Sequence, residues 1–256
     1  MQSYGFVGTG EITAAIVEGL GTDVADPPDV FLSPRNHDVA HALAARFPNV
    51  RVCGTNQEVL DSTTTIVVAV RPQVAQDVLT GLVFRPAHVV VSVLAGVSLE
   101  QLREWTAPAA RQVRSIPLPT VSRRAGRTAV YPDDVVARAL FESVGDVVVP
   151  RDEAALATFS TATATFAAHL DQLATIAHWM TEHGVAPEEA DAYVAHVFGE
   201  LGRTLLTHPG TLEDLAGKHM TPGGINEQFL ADLRGDGLRD SVRNSLDAVL
   251  ARVSGQ

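Results

Sequence analysis

The sequence has only one cysteine, Cys53, so no disulfide can form within the chain. Cys53 closes the short run Val50-Arg51-Val52-Cys53, and this setting indicates a structural position at the end of a strand. Long apolar runs are missing as well, because none approaches the roughly 20 residues that a helix needs to cross a bilayer. We therefore expect a soluble chain without a disulfide bond.

Positive charge is scarce: the formal net charge is −11 at pH 7, and Lys218 is the only lysine. The arginines are scattered and form no basic stripe with interleaved aromatic residues, the pattern that would indicate a nucleic-acid partner. A glycine motif begins only four residues after Met1, which leaves no room upstream for an export signal. We expect a cytoplasmic protein that binds neither nucleic acid nor a membrane.

The motifs of several enzyme classes are absent. The sequence has no Gly-x-Ser-x-Gly elbow, no phosphate loop ending in Gly-Lys-Ser or Gly-Lys-Thr, and no His-Glu-x-x-His pair. His169, His178, His183 and His196 lie in helical stretches without the paired spacing of metal ligands. We predict no metal site and assign these histidines to the surface or to an interface.

Up to about residue 150, short β-branched runs alternate with segments of helical character, which is the pattern of βαβ units around a parallel sheet. The predicted strands are 4–7, 30–32, 51–53, 65–70, 89–93, 112–116 and 147–149. The predicted helices are 12–20, 37–45, 74–79, 99–105 and 135–144.

After Pro150 the strand signal stops, and apolar residues recur at helical spacing through 154–182 and 188–206. The helix over 154–182 is apolar around most of its circumference, which indicates that a second chain covers part of it. We predict a domain boundary near Arg151 and an all-helical domain over 152–256 that forms a homodimer. A monomeric helical bundle is the alternative.

A glycine-rich turn follows the first predicted strand and precedes the first predicted helix. Gly8 can make the tight turn, Gly10 lets the backbone approach a pyrophosphate, and the first helical amides point at the anion with the helix dipole behind them. Thr13 stands where a third glycine is usual. The candidate cofactor contacts are Gly8, Thr9, Gly10, Glu11 and Ile12. The sequence thus predicts an α/β fold, with a Rossmann-type dinucleotide-binding domain over 1–151; the alternative is a plain structural turn.

The end of the second predicted strand carries no acidic residue, although an NAD-preferring site would place Asp or Glu there to bind the ribose hydroxyls. It carries Ser33-Pro34-Arg35-Asn36 instead. Arg35 can pair with a 2′-phosphate and stack on adenine, while Ser33 and Asn36 can donate to the phosphate oxygens. The sequence therefore favours NADPH as the cofactor; in the alternative, Arg35 is an ordinary surface arginine in a turn.

Four segments carry a family likeness: Gly-Phe-Val-Gly-Thr-Gly-Glu-Ile at 5–12, Val-Ala-Val-Arg-Pro-Gln at 68–73, Ser-Val-Leu-Ala-Gly-Val at 92–97 and Thr-Pro-Gly-Gly at 221–224. They resemble the opening loop, two strand ends and the Ser-Pro-Gly-Gly signature of the pyrroline-5-carboxylate reductase family. The resemblance implies a helical domain that interlocks between subunits, and hydride transfer from NAD(P)H to a cyclic imine bearing a carboxylate. The further cofactor contacts that it implies are Val70, Arg71, Pro72, Ala95 and Gly96.

The Thr-Pro-Gly-Gly segment also has a chemical interpretation of its own. Thr221 is a good N-cap, Pro222 suits the first helical position, and Gly223 and Gly224 leave the backbone amides accessible. We therefore expect the substrate carboxylate to bind at this helix start. An ordinary capped helix start is the alternative.

Two departures from the family lie on the predicted substrate side. Asn226 stands where the family usually has a threonine that hydrogen-bonds the imine nitrogen, and asparagine donates a hydrogen bond but is a poor proton source. Residues 163–168 replace the family's Gly-Ser-Gly-Pro-Ala-Tyr run. The catalytic candidates are Asn226 and His219, which lies beside Lys218; the alternative for His219 is a solvated charge at a helix end.

The default function is therefore NADPH-dependent reduction of a small cyclic imino acid, pyrroline-5-carboxylate to proline, within proline biosynthesis. Because both departures concern the substrate, reduction of a related imine or an oxo acid is the first alternative. A non-catalytic NADPH-binding protein is the second.

Overall fold

The computed structural model describes residues 2–254. The chain divides into two compact units: the first runs to Ser160 and takes in the chain again from Leu250, and the second is Thr161–Val249. The last strand ends at Val148, and the first of the C-terminal helices begins at Glu153. The domain boundary near Arg151 stays a prediction.

The first unit is built on a sheet whose strands follow the order β3-β2-β1-β4-β5-β6-β7-β8. From β3 to β6 every neighbouring pair is parallel, and the order switches between β1 and β4. A switch point at that place is the mark of the Rossmann fold, so the predicted fold class is confirmed. The strands are β1 (Ser3–Val7), β2 (Asp29–Leu32), β3 (Val50–Val52), β4 (Thr65–Val68), β5 (Val89–Ser92), β6 (Arg111–Ile116), β7 (Gly126–Tyr131) and β8 (Gly145–Val148).

The central strands show why the sheet could be predicted from the sequence. Every residue of β4 and of β5 is buried. Strands of a parallel sheet are covered by helices on both faces, so they appear as continuous apolar runs and not as alternating ones. Two apolar clusters line the two faces, one around Phe6, Ile16 and Phe141 and the other around Leu60, Leu79 and Leu102.

The far edge of the sheet corrects the expectation of a uniformly parallel arrangement. The unpredicted strand β7 pairs antiparallel with β6, and β8 is parallel to β7. The reason is the connection between β6 and β7, which holds only a short 3-10 helix, Pro119–Arg123. A return to the same direction requires a longer crossover, so the chain comes back antiparallel.

Helices of the first unit cover the sheet: α1 (Glu11–Gly21), α2 (His37–Arg46), α3 (Asn56–Ser62), α4 (Pro72–Thr80), α5 (Leu99–Trp105) and α6 (Val135–Glu142). The helix α3 was not predicted, because it is short and buries only Val59 and Leu60. Cys53 follows β3 directly and is buried, and burial raises the pKa of its thiol.

The C-terminal part is all helical, as predicted. Its helices are α7 (Glu153–Thr163), α8 (Thr165–Glu182), α9 (Pro187–Thr207), α10 (Leu212–Lys218), α11 (Ile225–Gly235) and α12 (Leu238–Val253). The single helix expected over 154–182 is interrupted at Ala164, whose amide bonds to the Thr161 carbonyl while the Thr165 hydroxyl donates to Ala162. Threonine hydroxyls compete in this way for helix carbonyls and bend the helix. No helix among residues 2–254 is both long and apolar enough to cross a membrane.

Candidate active site

The glycine turn lies at the carboxyl end of β1, beside the switch point of the sheet. Gly8 has φ of +104°, and a Cβ atom placed there would lie 2.5 Å from the carbonyl oxygen of Ala69. Both the left-handed conformation and the contact with the end of β4 therefore require glycine. The sequence-based role of Gly8, a tight turn, agrees with this geometry.

The second glycine leaves space open in front of α1. A Cβ at Gly10 would meet no atom within 4 Å, and Gly10 is the N-cap of α1 without a side-chain cap. The first amides of the helix, from Glu11 onward, therefore have no acceptor within the helix. An anion such as a pyrophosphate fits this position, because the amides and the helix dipole both attract negative charge.

Thr13 explains how the loop works without a third glycine. This side chain is fully buried, and its hydroxyl donates to the carbonyl oxygen of Gly8 over 2.7 Å. Thr13 thus fixes the turn from inside the first helical turn, where the usual glycine would only permit close packing.

Ser33 holds the same loop from the end of β2. It is fully buried, its Oγ accepts from the Gly8 amide at 2.9 Å, and the Thr9 hydroxyl donates to the Ser33 carbonyl at 2.9 Å. These bonds assign Ser33 and Thr9 to support of the glycine turn. The sequence offered no signal for this role, because the two partners are about 25 residues apart along the chain and meet only in the fold.

Arg35 and Asn36, in contrast, are exposed at the start of α2. Asn36 is the N-cap of α2 but its side chain makes no capping hydrogen bond. Among residues 2–254 no acidic side chain forms an ion pair with Arg35. A guanidinium and an amide that are both available beside a glycine loop fit a 2′-phosphate.

The remaining predicted cofactor contacts lie at the ends of β4 and β5. Arg71 is the exposed N-cap of α4 and Pro72 its first residue, immediately after the half-buried Val70. Ala95 and Gly96 follow β5 and are exposed; Gly96 has φ of +72°, and a Cβ there would meet no atom within 4 Å. The ends of β1, β2, β4 and β5 thus form one edge of the sheet, where a dinucleotide binds in open α/β folds.

In the second unit, the structure corrects the helix start predicted at Thr221. The helix α11 begins at Ile225 with Gly224 as its N-cap, and Thr221 and Pro222 precede it. The cause is a tight turn in which the Gly224 amide donates to the Thr221 carbonyl at 2.8 Å and Gly223 has φ of +72°. The bare amides therefore belong to the residues after the glycine pair.

The two catalytic candidates meet at this turn. The Asn226 side-chain amide donates to the His219 carbonyl oxygen at 3.1 Å, so the NH₂ end faces that carbonyl and Oδ1 is the end left free. The carboxylate of Glu227 accepts from the Gly223 amide at 2.7 Å. Glu227 was missed by the sequence analysis, although an acid at the third position of a helix is a recognised capping signal.

Within residues 2–254, no three or more acidic, histidine or cysteine side chains are grouped so that they could hold a metal ion.

Comparison with known proteins matches residues 3–96 to a family described as NADP oxidoreductase, coenzyme F420-dependent. The pyrroline-5-carboxylate reductase of Synechocystis sp. is 27% identical, over 97% of this chain and 96% of that protein. The solved 1-pyrroline-5-carboxylate reductase of Streptococcus pyogenes has a TM-score of 0.84 at 20% identity, covering 99% of this chain and 98% of that one. The pyrroline carboxylate reductase of Plasmodium falciparum, solved with NADP bound, has a TM-score of 0.81 at 16% identity, covering 99% and 97%.

Sheet order, glycine turn and family match together define an NADP-dependent oxidoreductase, and its cofactor is NADP(H). Within that class the chain is similar to pyrroline-5-carboxylate reductases over nearly its whole length, and it shares their fold.

Proposed function

We propose that this protein uses NADPH to reduce the C=N bond of a small cyclic imino acid, with pyrroline-5-carboxylate as substrate and proline as product. The observation that carries the proposal is the presence, in one chain, of an open glycine turn beside Arg35 and of the Thr-Pro-Gly-Gly turn before α11. The names of the relatives support the same reaction for the family.

The cofactor would be held at the carboxyl edge of the sheet. Amides at the start of α1 would bind the pyrophosphate, and Arg35 and Asn36 would bind the 2′-phosphate. Ser33 would act indirectly, since its hydroxyl is bonded to the loop. When bound, the reduced nicotinamide supplies the hydride.

The substrate carboxylate would bind to the amides at the start of α11, which have no acceptor within the helix. The free Oδ1 of Asn226 is an acceptor, so it suits the N–H of a protonated iminium and not an unprotonated imine. Asn226 would thus hold the charged form of the substrate. His219 is the proposed proton donor for substrate that arrives uncharged.

A homodimer through the helical unit is part of the proposal. The cluster that this unit buries by itself is small, with Ala177, Ala190 and Val194 at its centre among the described residues. Many large apolar side chains of the same unit are exposed, among them Phe166, Leu170, Trp179, Tyr193, Leu205, Leu206, Leu212, Ile225 and Phe229. Apolar surface on this scale is uncommon on a monomer and supports burial against a second copy.

A second candidate function is reduction of a related imine or oxo acid. The observation that favours it is Asn226 itself, because its bond to His219 differs from what a threonine at that position could make. An oxo acid would present a carbonyl oxygen, which accepts hydrogen bonds and would meet the Oδ1 acceptor unfavourably. Among the alternatives, a protonated cyclic imine other than pyrroline-5-carboxylate therefore agrees better with the geometry.

Steady-state oxidation of NADPH tests the proposal. The substrates are pyrroline-5-carboxylate, its six-membered homologue, the same ring without its carboxylate, and a panel of 2-oxo acids. We expect the highest kcat/KM with pyrroline-5-carboxylate and a large loss without the carboxylate. A higher kcat/KM with another carboxylated imine would transfer the function to that imine. Oxidation with none of them would overturn the proposal.

A further inference from the structure

A cavity of about 330 Å³ lies beside the start of β1, at the other end of that strand from the glycine turn. Its walls come from the start of β1, the end of α1, the loop that leads into β2 and the segments before β7 and β8. The cavity borders the first residues of β1, whereas the glycine turn follows the last residue of β1, so the two are separated by the length of this strand. A volume near 300 Å³ is at the small end of the range for ligand sites.

Tyr4 contributes an unpartnered hydroxyl to this cavity. Its side chain is only 1% exposed, yet it lines the cavity, and no hydrogen bond to the hydroxyl is made within residues 2–254. Burial raises the pKa of Tyr4, so the group stays a neutral O–H donor. A buried hydroxyl costs free energy unless it has a partner, which water or a ligand in the cavity would supply.

The rim carries one base and one acid that are not paired with each other. Arg124 donates from Nε to the Ser143 carbonyl at 3.2 Å, which leaves the two terminal nitrogens of the guanidinium for another acceptor. Asp26 lines the same cavity and makes no ion pair within the described part of the chain. The two charges can therefore each meet an opposite charge on one ligand.

The backbone is arranged to bring Arg124 to this place. Gly19 lets α1 approach the 3-10 helix so closely that a Cβ would lie 2.2 Å from the Val121 carbonyl oxygen. Arg124 ends that 3-10 helix with a left-handed φ of 55°, which is unfavourable for a residue with a side chain. The other non-glycine residue with such a φ among residues 2–254 is Asp23, next to Val24 in the cavity wall.

Four apolar side chains line the cavity, those of Leu20, Val24, Pro27 and Pro28, and Gln2 adds a neutral polar one. A ligand that matches these features has a carboxylate for Arg124, an ammonium group for Asp26, an acceptor for the Tyr4 hydroxyl and a short apolar side chain. A phosphate ion does not fit because Asp26 would repel it. A dinucleotide is also too large for the cavity.

We propose that this cavity is a binding site for a free L-amino acid with a small apolar side chain, distinct from the active site.

Titration calorimetry of the full-length protein, saturated with NADPH, tests the proposal with L-valine, L-leucine and L-proline as probes. We expect saturable binding of at least one probe. Isovalerate and isobutylamine, which each keep only one of the two charges, should bind at least about tenfold more weakly, since each loses a charge-assisted contact. The absence of saturable binding by all three amino acids would overturn the proposal.

Variants then locate the bound amino acid. Arg124→Gln and Asp26→Asn should each weaken binding by roughly tenfold or more. Tyr4→Phe should also weaken binding, without lowering the melting temperature of the free protein. The matched controls Arg123→Gln and Asp77→Asn should bind as the wild type does. Binding that survives these changes but is lost in Gly224→Val would place the amino acid at the active site and overturn the proposal.

Discussion

At the scale of single residues, we expect Arg35 to decide between the two nicotinamide cofactors. Its guanidinium is exposed at the start of α2 and forms no ion pair within the described chain, so a 2′-phosphate would be its partner. We expect Arg35→Ala to weaken NADPH binding by about 1.5–3 kcal/mol, the size of a charge-assisted contact, and to weaken NADH binding far less. Fluorescence titration with both cofactors measures this. Arg103→Ala, on α5, is the matched control, and equal losses for NADPH and NADH would contradict the assignment.

Substitution of Asn226, again a single residue, tests the identity of the substrate. Its side chain is held by the His219 carbonyl, and the free Oδ1 accepts. Asn226→Ala should mainly lower kcat if the contact strengthens in the transition state. Asn226→Thr restores the residue usual in the family, and its kcat/KM on pyrroline-5-carboxylate is the informative measurement. A rise would indicate that the native substrate is another imine, whereas a fall would make Asn226 an alternative solution for the same one. Unchanged kinetics in both variants would contradict a catalytic role.

His88 makes stability depend on pH. It is fully buried, its Nδ1 accepts from the Arg85 amide at 3.1 Å, and burial followed by the charge of Arg85 lowers its pKa. The unfolded chain, with a pKa of about 6.5, therefore binds the proton more readily than the folded one. The contribution of neutral His88 to the free energy of unfolding is fully present above pH 6.5. It is lost as the pH falls from 6.5 towards the pKa of the folded state, by at most about 1.4 kcal/mol per pH unit. Urea unfolding at pH 7 and at pH 5 measures the free energy of unfolding at each pH. Between the two, it should fall less in His88→Gln than in the wild type. An equal loss in both would sink this explanation.

At the scale of secondary-structure elements, Glu153 joins three of them. At the first position of α7, its Oε1 accepts from Arg114 Nη1 of β6 at 2.7 Å and from the Leu99 amide of α5 at 2.8 Å. Arg114 is buried and its Nε has no partner in the described chain, so loss of Glu153 would leave a poorly compensated buried charge. Because the Glu153 side chain is 35% exposed, we expect Glu153→Ala to cost about 2–4 kcal/mol, less than for a fully buried pair.

The control for that experiment is Glu142→Ala, which removes an exposed pair with Arg138 within α6. This change should cost no more than about 0.5 kcal/mol. Denaturant unfolding compares the two variants, and similar losses would show that the contacts of Glu153 are not especially stabilising.

Elements also show where sequence reasoning succeeds and fails. The strands β4 and β5 were predictable because burial on both faces leaves a continuous valine-rich run. The strand β7 was not predicted. Its direction could not be predicted from its composition, because the direction depends on the length of the connection from β6. The prediction that a helix starts at Thr221 was wrong for a related reason. The sequence shows the residues that favour a helix start, but the turn that makes Gly224 the N-cap depends on the positive φ of Gly223.

The candidate active-site residues divide along the same physical line. The tight turn at Gly8 and the open backbone at Gly10 were predictable because such geometry favours glycine wherever it occurs. The hydrogen bonds from the Gly8 amide to Ser33 and from the Gly223 amide to Glu227 could not be predicted from the sequence. Each depends on which backbone amide lies within reach of the side chain after folding. Side chains that bind to distant backbone leave no spacing pattern to detect.

At the scale of the whole molecule, the helical unit should pair with a second copy. Leu206 and Leu170 are 88% and 65% exposed in a unit whose own buried cluster is small. Burial of a leucine stabilises by about 1.5–3 kcal/mol, and a buried glutamate in its place would be strongly unfavourable. We expect a dimer for the wild type by light scattering at micromolar concentration, and a shift towards monomer in Leu206→Glu and Leu170→Glu. Val83→Glu is the matched control, because Val83 is 72% exposed in the first unit and should leave the dimer intact. A monomeric wild type, or a dimer that all three variants preserve, would contradict pairing through this surface.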